Sequence, residues 1–167
     1  MLRPKLRPSL RPDLRVDSLA EVTPALLASL GVSSVFVDLD DTLIASDSDV
    51  PAAGSLGWLA SLSAGGLAVV ILSNGRHDRV ARLAEQAGVP GLALAGKPFA
   101  RAFRRARRLL GEVDPAAIAM VGDQLFTDVI GAKRAGMVTI LVRPLTKGKL
   151  PHTRIARRLE RMLLEDS

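Results

Sequence analysis

Between residues 35 and 142 the chain alternates strand and helix patterns five times, and this limits the folds open to it more than any other feature. Strand-length runs with apolar stretches stand at 35–40, 67–73, 92–95, 118–121 and 138–142. Between them, helical spacing predicts helices over about 54–63, 78–87, 99–110 and 127–134, with Gly65-Gly66, Gly88 and Gly136 placed as stops. Strands that are apolar throughout, rather than at every second residue, are buried on both faces. Parallel strands with helices above and below satisfy that demand. The expected fold is therefore α/β: a doubly wound, Rossmann-like parallel sheet of five strands. Ligands of such sheets bind beyond the carboxyl ends of the strands, where strand order reverses.

The flanks read differently. Residues 2–17 run LRPK, LRPS, LRPD, LRVD in register, and the prolines forbid a continuous helix, so residues 1–15 are expected to form an extended basic arm. Residues 17–30 have helical spacing up to Gly31, and a last helix is predicted over about 153–164. We expect one domain over residues 1–167, with a catalytic core at about 33–144; 167 residues suffice for a core without disulfides or a structural metal. Cysteine is absent, which excludes disulfides, thiolate zinc sites and a cysteine nucleophile. The longest apolar run, 67–72, is too short to span a bilayer, and the N-terminus has no secretory apolar stretch. A cytoplasmic protein, soluble or peripheral at the inner face of the membrane, is expected.

Charge is clustered. Of 23 Lys and Arg, five lie in residues 1–15, five in 101–108 and seven in 143–161, where the acids are only Asp13 and Glu160. Clusters of this kind suit a polyanionic partner, whether anionic lipid, nucleic acid or a phosphorylated substrate, although a solvated basic surface has the same composition. Arg101, Arg104, Arg105 and Arg108 form one helical stripe, opposite Phe99, Ala102, Phe103, Ala106, Leu109 and Leu110. Arg154, Arg157, Arg158 and Arg161 repeat that spacing.

Nearly every predicted strand ends in a polar group. The first runs into Asp38-Leu39-Asp40-Asp41-Thr42, and extended geometry would turn Asp38, Asp40 and Thr42 to one side. The second ends in Ser73-Asn74-Gly75, whose hydroxyl and backbone donors suit an anionic phosphoryl group. Lys97 follows the third, and Asp123 the fourth, with Asp128 five positions on. Singly these are ordinary turn formers and caps. Gathered at one sheet edge, the carboxylates would repel unless neutralised, which Lys97 and a divalent cation would do. Oxygen-only ligands point to Mg²⁺.

The order DxDxT, strand-terminal Ser, Lys and GDxxxxD on successive strands resembles the haloacid dehalogenase superfamily of aspartate-nucleophile phosphatases. VDLDDTL at 37–43, LSNG at 72–75, GKP at 96–98 and the run from Gly122 to Val142 are similar to the YqeG group of subfamily IIIA phosphatases, some of which act on phosphatidylglycerophosphate. That group usually has Asn at the position of Asp41, and often at that of Gly75. The resemblance implies that Asp38 attacks phosphorus and that Asp40 protonates the leaving oxygen and later deprotonates water. It assigns phosphate binding to Ser73, Asn74 and Lys97. Mg²⁺ would sit on the carboxylates of Asp38 and Asp123 and the backbone carbonyl of Asp40. Thr42 would support the motif loop, and Asp128 would orient Lys97 or a metal-bound water; Asp41 has no assigned role.

Only 30 residues separate Thr42 from Ser73 and 23 separate Ser73 from Lys97, leaving no room for a cap domain. An open site suits a phosphomonoester on a large body, so an anionic phospholipid headgroup is the expected partner, ahead of nucleic acid. Soluble sugar phosphates or nucleic-acid termini are the alternative substrates, and a non-catalytic basic binding module the alternative class.

Overall fold

The structure, a computed structural model, describes residues 11–146. The remainder of the proposed arm and the helix predicted at 153–164 lie outside the described residues. Six strands, β1 (Leu14–Val16), β2 (Ser34–Val37), β3 (Ala68–Leu72), β4 (Gly91–Leu92), β5 (Ile118–Gly122) and β6 (Val138–Val142), form one sheet. Its order is β1-β6-β5-β2-β3-β4, and every pairing is parallel. The helices are α1 (Pro24–Ser29), α2 (Ser55–Ala64), α3 (His77–Ala87), α4 (Ala100–Leu109) and α5 (Gly131–Arg134).

Side chains alternate across the sheet and divide the interior into two cores. Val35, Val37, Val69, Ile71 and Val121 face one way and pack with Trp58, Leu59 and Leu62 of α2 and Val80 and Leu83 of α3. Phe36, Val70, Leu72 and Met120 face the other way, against Ala102, Phe103 and Ala106 of α4 and Ala132 of α5. Each large apolar side chain fully removed from water contributes roughly 1.5–3 kcal/mol, so both faces of β2 are strongly fixed. The chain proceeds outward from β2 through β3 to β4, then crosses back to β5 on the other side of β2. That reversal puts the carboxyl ends of β2 and β5 beside each other.

The structure corrects the sequence reading in four places. The sheet has six strands rather than five, because Leu14–Val16 pairs with β6 instead of continuing a free arm. Asp13 anchors that strand: its carboxylate accepts bonds from the Thr139 N–H at 2.8 Å and hydroxyl at 2.9 Å, and from Lys133 at 2.7 Å. The single helix expected over 17–30 is instead a short 3₁₀ turn, Leu19–Glu21, followed by α1. Pro24 separates them, and Thr23 caps α1 by accepting from the Leu26 N–H at 3.1 Å. The third predicted strand shrinks to Gly91–Leu92, after which Leu94 turns with φ 46°. Finally, the helix expected over 127–134 begins as a π-helical segment, Leu125–Ile130, before α5.

Candidate active site

Backbone pairing carries β2 one residue further: the Asp38 N–H donates to the Val121 carbonyl at 2.9 Å. The chain then folds back on itself. The Leu39 carbonyl accepts from Leu43 at 2.8 Å and Ile44 at 3.0 Å, and the Asp41 N–H donates to Ile44 at 2.7 Å. Asp41 has φ 58°, in the left-handed region that Asn and Asp tolerate better than other non-glycine residues. Its buried carboxylate accepts from the Ser46 N–H at 3.0 Å and the Thr146 hydroxyl at 2.7 Å. Asp41 is thus a buried staple of the loop, neither a solvated acid nor a helix cap.

That turn ends the extended geometry, so Thr42 does not share the side of Asp38 and Asp40. It lines a cavity of about 200 Å³ with Ser18, Ser55, Trp58 and Leu145 among others. Its hydroxyl is buried and has no hydrogen-bond partner among the described residues.

The loops after β3 and β4 interlock. The Asn74 amide nitrogen donates to the Lys97 carbonyl at 2.9 Å, and its oxygen accepts from Gly96 at 3.0 Å and Lys97 at 2.8 Å. The Asn74 side chain thus shapes the lysine loop. Ser73, buried, accepts from the Gly75 N–H at 2.9 Å. A side chain at Gly75 would meet the Asp40 carboxylate at 2.8 Å and Ser73 Oγ at 3.0 Å, so glycine here lets Asp40 lie over the turn. The departure from Asn at this position has that consequence.

Lys97, with a side chain only 1% exposed, joins two elements: its Nζ lies 2.8 Å from Asp38 Oδ1 and 2.6 Å from Asp128 Oδ1. Asp128 also accepts from the Gln124 N–H at 3.1 Å and is pressed against Gly122, where any side chain would collide with its carboxylate. The glycine and the second acid of the Gly122-Asp123 to Asp128 run thus depend on each other. Asp38, Asp123 and Asp128 are all buried and offer carboxylate oxygens within 4.8 Å of one another. The Asp40 carboxylate is not part of that cluster.

Burial pushes the Asp38 carboxyl up to about 7; Lys97 opposes this, and Asp128 and Asp40 add to it. Burial alone would depress the Lys97 ammonium, but Asp128 and Asp38 outweigh it and raise the group above its ordinary value. Burial likewise raises Asp40, against the pull of the Arg79 guanidinium. Three buried carboxylates with one buried ammonium among them leave excess negative charge. Their hard oxygen donors fit a divalent cation, which would be held by Asp38 and Asp123.

Residues 11–136 match the family model described as haloacid dehalogenase-like hydrolase. The chain belongs to the haloacid dehalogenase-like hydrolases. A protein of Bacillus subtilis (strain 168) named "Probable phosphatase YqeG" is 36% identical over 143 residues, covering 86% of this chain and 83% of that one. Two solved structures share the fold. One is an uncharacterized protein from Listeria monocytogenes serotype 4b, with TM-score 0.57, 22% identity and 72% of this chain against 85% of that one. The other is the cobalt-bound deoxy-D-mannose-octulosonate 8-phosphate phosphatase of Haemophilus influenzae, with TM-score 0.55, 14% identity and 81% against 88%.

In this haloacid dehalogenase-like hydrolase, sequence reasoning missed Arg79. It rises from the first turn of α3, and its Nη1 lies 2.8 Å from Asp40 Oδ1. Helix periodicity assigns a residue there to a solvated face. The signal available was a basic residue in the helix's first turn, where the macrodipole favours acids.

Proposed function

We propose that this hydrolase is a Mg²⁺-dependent phosphatase that cleaves a phosphate monoester through an aspartyl-phosphate on Asp38, and that its substrate is phosphatidylglycerophosphate, converted to phosphatidylglycerol. The observation that supports the chemistry best is the buried contact of Asp38 with Lys97 at the strand-order reversal, with Asp123 and Asp128 beside it. In the first step an Asp38 oxygen attacks phosphorus, the bond from phosphorus to the leaving oxygen breaks, and Asp40 gives that oxygen its proton. In the second, water attacks the same phosphorus, Asp40 takes the water proton, and the bond to Asp38 breaks to release orthophosphate. Lys97, held by Asp128, and Ser73 stabilise charge on the transferring group, and Asn74 keeps the Lys97 loop in place. A divalent cation would be held by the carboxylates of Asp38 and Asp123 and the Asp40 carbonyl, and would supply positive charge to neutralise the phosphoryl group.

The substrate reading rests on the rim. Leu94, Phe99 and Phe126 are 67%, 73% and 56% exposed, and each follows a strand at the carboxyl edge of the sheet, Leu94 and Phe99 on the lysine loop and Phe126 in the π-helical segment. The Leu94 N–H donates to the Gly75 carbonyl at 3.1 Å, Phe99 follows the Lys97 loop, and Phe126 lies three residues beyond Asp123. Ala102, Phe103 and Ala106, opposite the arginine stripe, are buried, whereas Phe99 and Leu109 are exposed. Beside them Arg101, Arg104 and Arg108 of α4 face solvent. Apolar tips backed by arginines suit an anionic bilayer surface, at about 1 kcal/mol per basic group. No helix among the described residues is long and apolar enough to cross a membrane; the proposed location, at the cytoplasmic face as a peripheral protein, rests on the basic and apolar rim.

The test is a parallel assay of purified protein on phosphatidylglycerophosphate in mixed vesicles, on sugar phosphates and on phosphorylated oligonucleotides, with vesicle sedimentation at low and high salt. The proposal requires preference for the lipid, dependence on Mg²⁺ and salt-sensitive binding to anionic vesicles. Preference for sugar phosphates, with equal partitioning to neutral and anionic vesicles, would move the substrate to the soluble class.

A further inference from the structure

Asp40 is held by few contacts for a group expected to move two protons. Its Oδ2 stands over Gly75, in the space that a side chain there would fill. Among the described residues no hydrogen bond of good geometry reaches its Oδ1, and the one cation paired with it is Arg79, at 2.8 Å. Arg79 is itself tied down. Its Nη2 donates to the Ser48 carbonyl at 2.9 Å, and its Nε lies 3.6 Å from Asp49 Oδ1. The guanidinium therefore spans the two ends of the loop that begins at the motif and returns at residues 48–49, and it is four-fifths buried there.

Nothing local asks for an arginine at this position. Residue 79 is third in α3, after Arg76 as N-cap, in the turn where the helix dipole disfavours a cation and a capping box would put Glu or Gln. A residue set against its local preference and paired with a site acid points to function. The planar fork also matters: one nitrogen meets the carboxylate while the others meet the loop, which a lysine ammonium at one point cannot do.

We propose that Arg79 is the positioning residue of the general acid, fixing the Asp40 carboxylate on the leaving-group side of the site by bracing it against the 48–49 loop. This rests on the reading of Asp40 as the proton donor. Arg79 acts in this reading through the Asp40 carboxylate that it contacts. Proton donation matters most for alkyl leaving groups, which depart as poorly stabilised alkoxides, and least for an aryl leaving group such as p-nitrophenolate. A misplaced Asp40 should therefore harm one substrate class far more than the other.

The experiment compares Arg79→Gln, Arg79→Lys, Asp40→Asn and the Arg79→Gln/Asp40→Asn pair on an alkyl phosphate (glycerol phosphate) and on p-nitrophenyl phosphate, with melting curves recorded for each. For Arg79→Gln we expect the loss in kcat/KM, which reports the step that needs the acid, to be larger on the alkyl phosphate than on the aryl phosphate by about tenfold or more, as fits a contribution of 10²–10⁴ from a positioned acid. Arg79→Lys should show the same asymmetry in weaker form, and the pair should lose little beyond Asp40→Asn, because both changes act through one group. Equal losses on the two substrates would overturn the proposal in favour of a structural or substrate-binding arginine. If Asp40→Asn shows no asymmetry, the acid assignment itself fails; if Asp40→Asn shows it and Arg79→Gln does not, only the role of Arg79 fails. Should Arg79→Gln melt below the assay temperature, the decision passes to Arg79→Lys, for which equal losses again contradict the proposal.

Discussion

Lys97 Nζ and Asp128 Oδ1 lie 2.6 Å apart, with both side chains 1% exposed. The contact fixes a lysine from the loop after β4 against an acid from the π-helical segment after β5. Removing the acid leaves a buried ammonium with Asp38 as its remaining carboxylate. Breaking a buried pair from one side typically costs about 3–5 kcal/mol. Asp128→Ala should therefore be destabilised on that scale in a denaturant titration and lose most activity. Asp128→Asn, which keeps the shape, should lose less stability and still be impaired. Wild-type stability in Asp128→Ala would contradict this placement of the lysine.

Asp13 ties β1 to β6, and its contribution carries a pH sign. Burial alone would raise its pKa, but the Lys133 side chain and the Thr139 backbone and hydroxyl outweigh it and hold the carboxyl below the ordinary value of 3.8. An acid with a depressed folded pKa stabilises fully above its unfolded pKa, and that stability is lost as pH falls through the folded pKa. The difference in melting temperature between wild type and Asp13→Asn should be constant from pH 6 to 8 and shrink below about pH 4. A gap unchanged at low pH would remove the charged carboxylate from the account.

Asp38 has the opposite sign. Its carboxyl, raised from 3.8 to about 7 by burial, binds its proton more tightly folded than unfolded. That stability is present below the unfolded pKa and is lost as pH rises through about 7. Metal-free protein should thus melt at progressively lower temperature from about pH 4 to pH 7.5. A divalent cation competes with the proton for the same oxygens, so Mg²⁺ should raise the melting temperature more at pH 7.5 than at pH 5, and less in Asp123→Ala. A Mg²⁺ effect independent of pH and of Asp123 would contradict the ligand set.

The parts of this fold legible in the sequence were those where one physical signal acted alone. The buried strands β2, β3, β5 and β6 announced themselves as continuous apolar runs, and the polar residues after them marked the ligand edge. What escaped depended on long-range contacts. Leu14–Val16 is a three-residue strand inside a proline-rich repeat, and its pairing depends on Asp13 meeting Thr139, 126 positions away. The expectation that Thr42 would face the site with Asp40 assumed extended chain, whereas φ 58° at Asp41 turns the loop. Asn74 reads as an anion binder in Ser73-Asn74-Gly75, yet the lysine loop 22 and 23 positions on claims its amide. Arg79 stood out only as a cation in the first turn of a helix, and its partner Asp40 lies on a different element.

The central claim is that phosphate passes through Asp38. The direct measurement is rapid acid quench of the Mg²⁺-loaded enzyme with a phosphomonoester, followed by mass spectrometry of the peptide containing residues 38–41, in wild type, Asp38→Asn and Asp40→Asn. A phosphoryl adduct on Asp38 is expected in wild type. A larger steady-state fraction is expected in Asp40→Asn with an aryl phosphate, because the residue that deprotonates the hydrolytic water is missing. Neither adduct nor turnover is expected in Asp38→Asn. Turnover by Asp38→Asn at a rate near wild type, or sustained hydrolysis with the adduct on another residue, would contradict the claim.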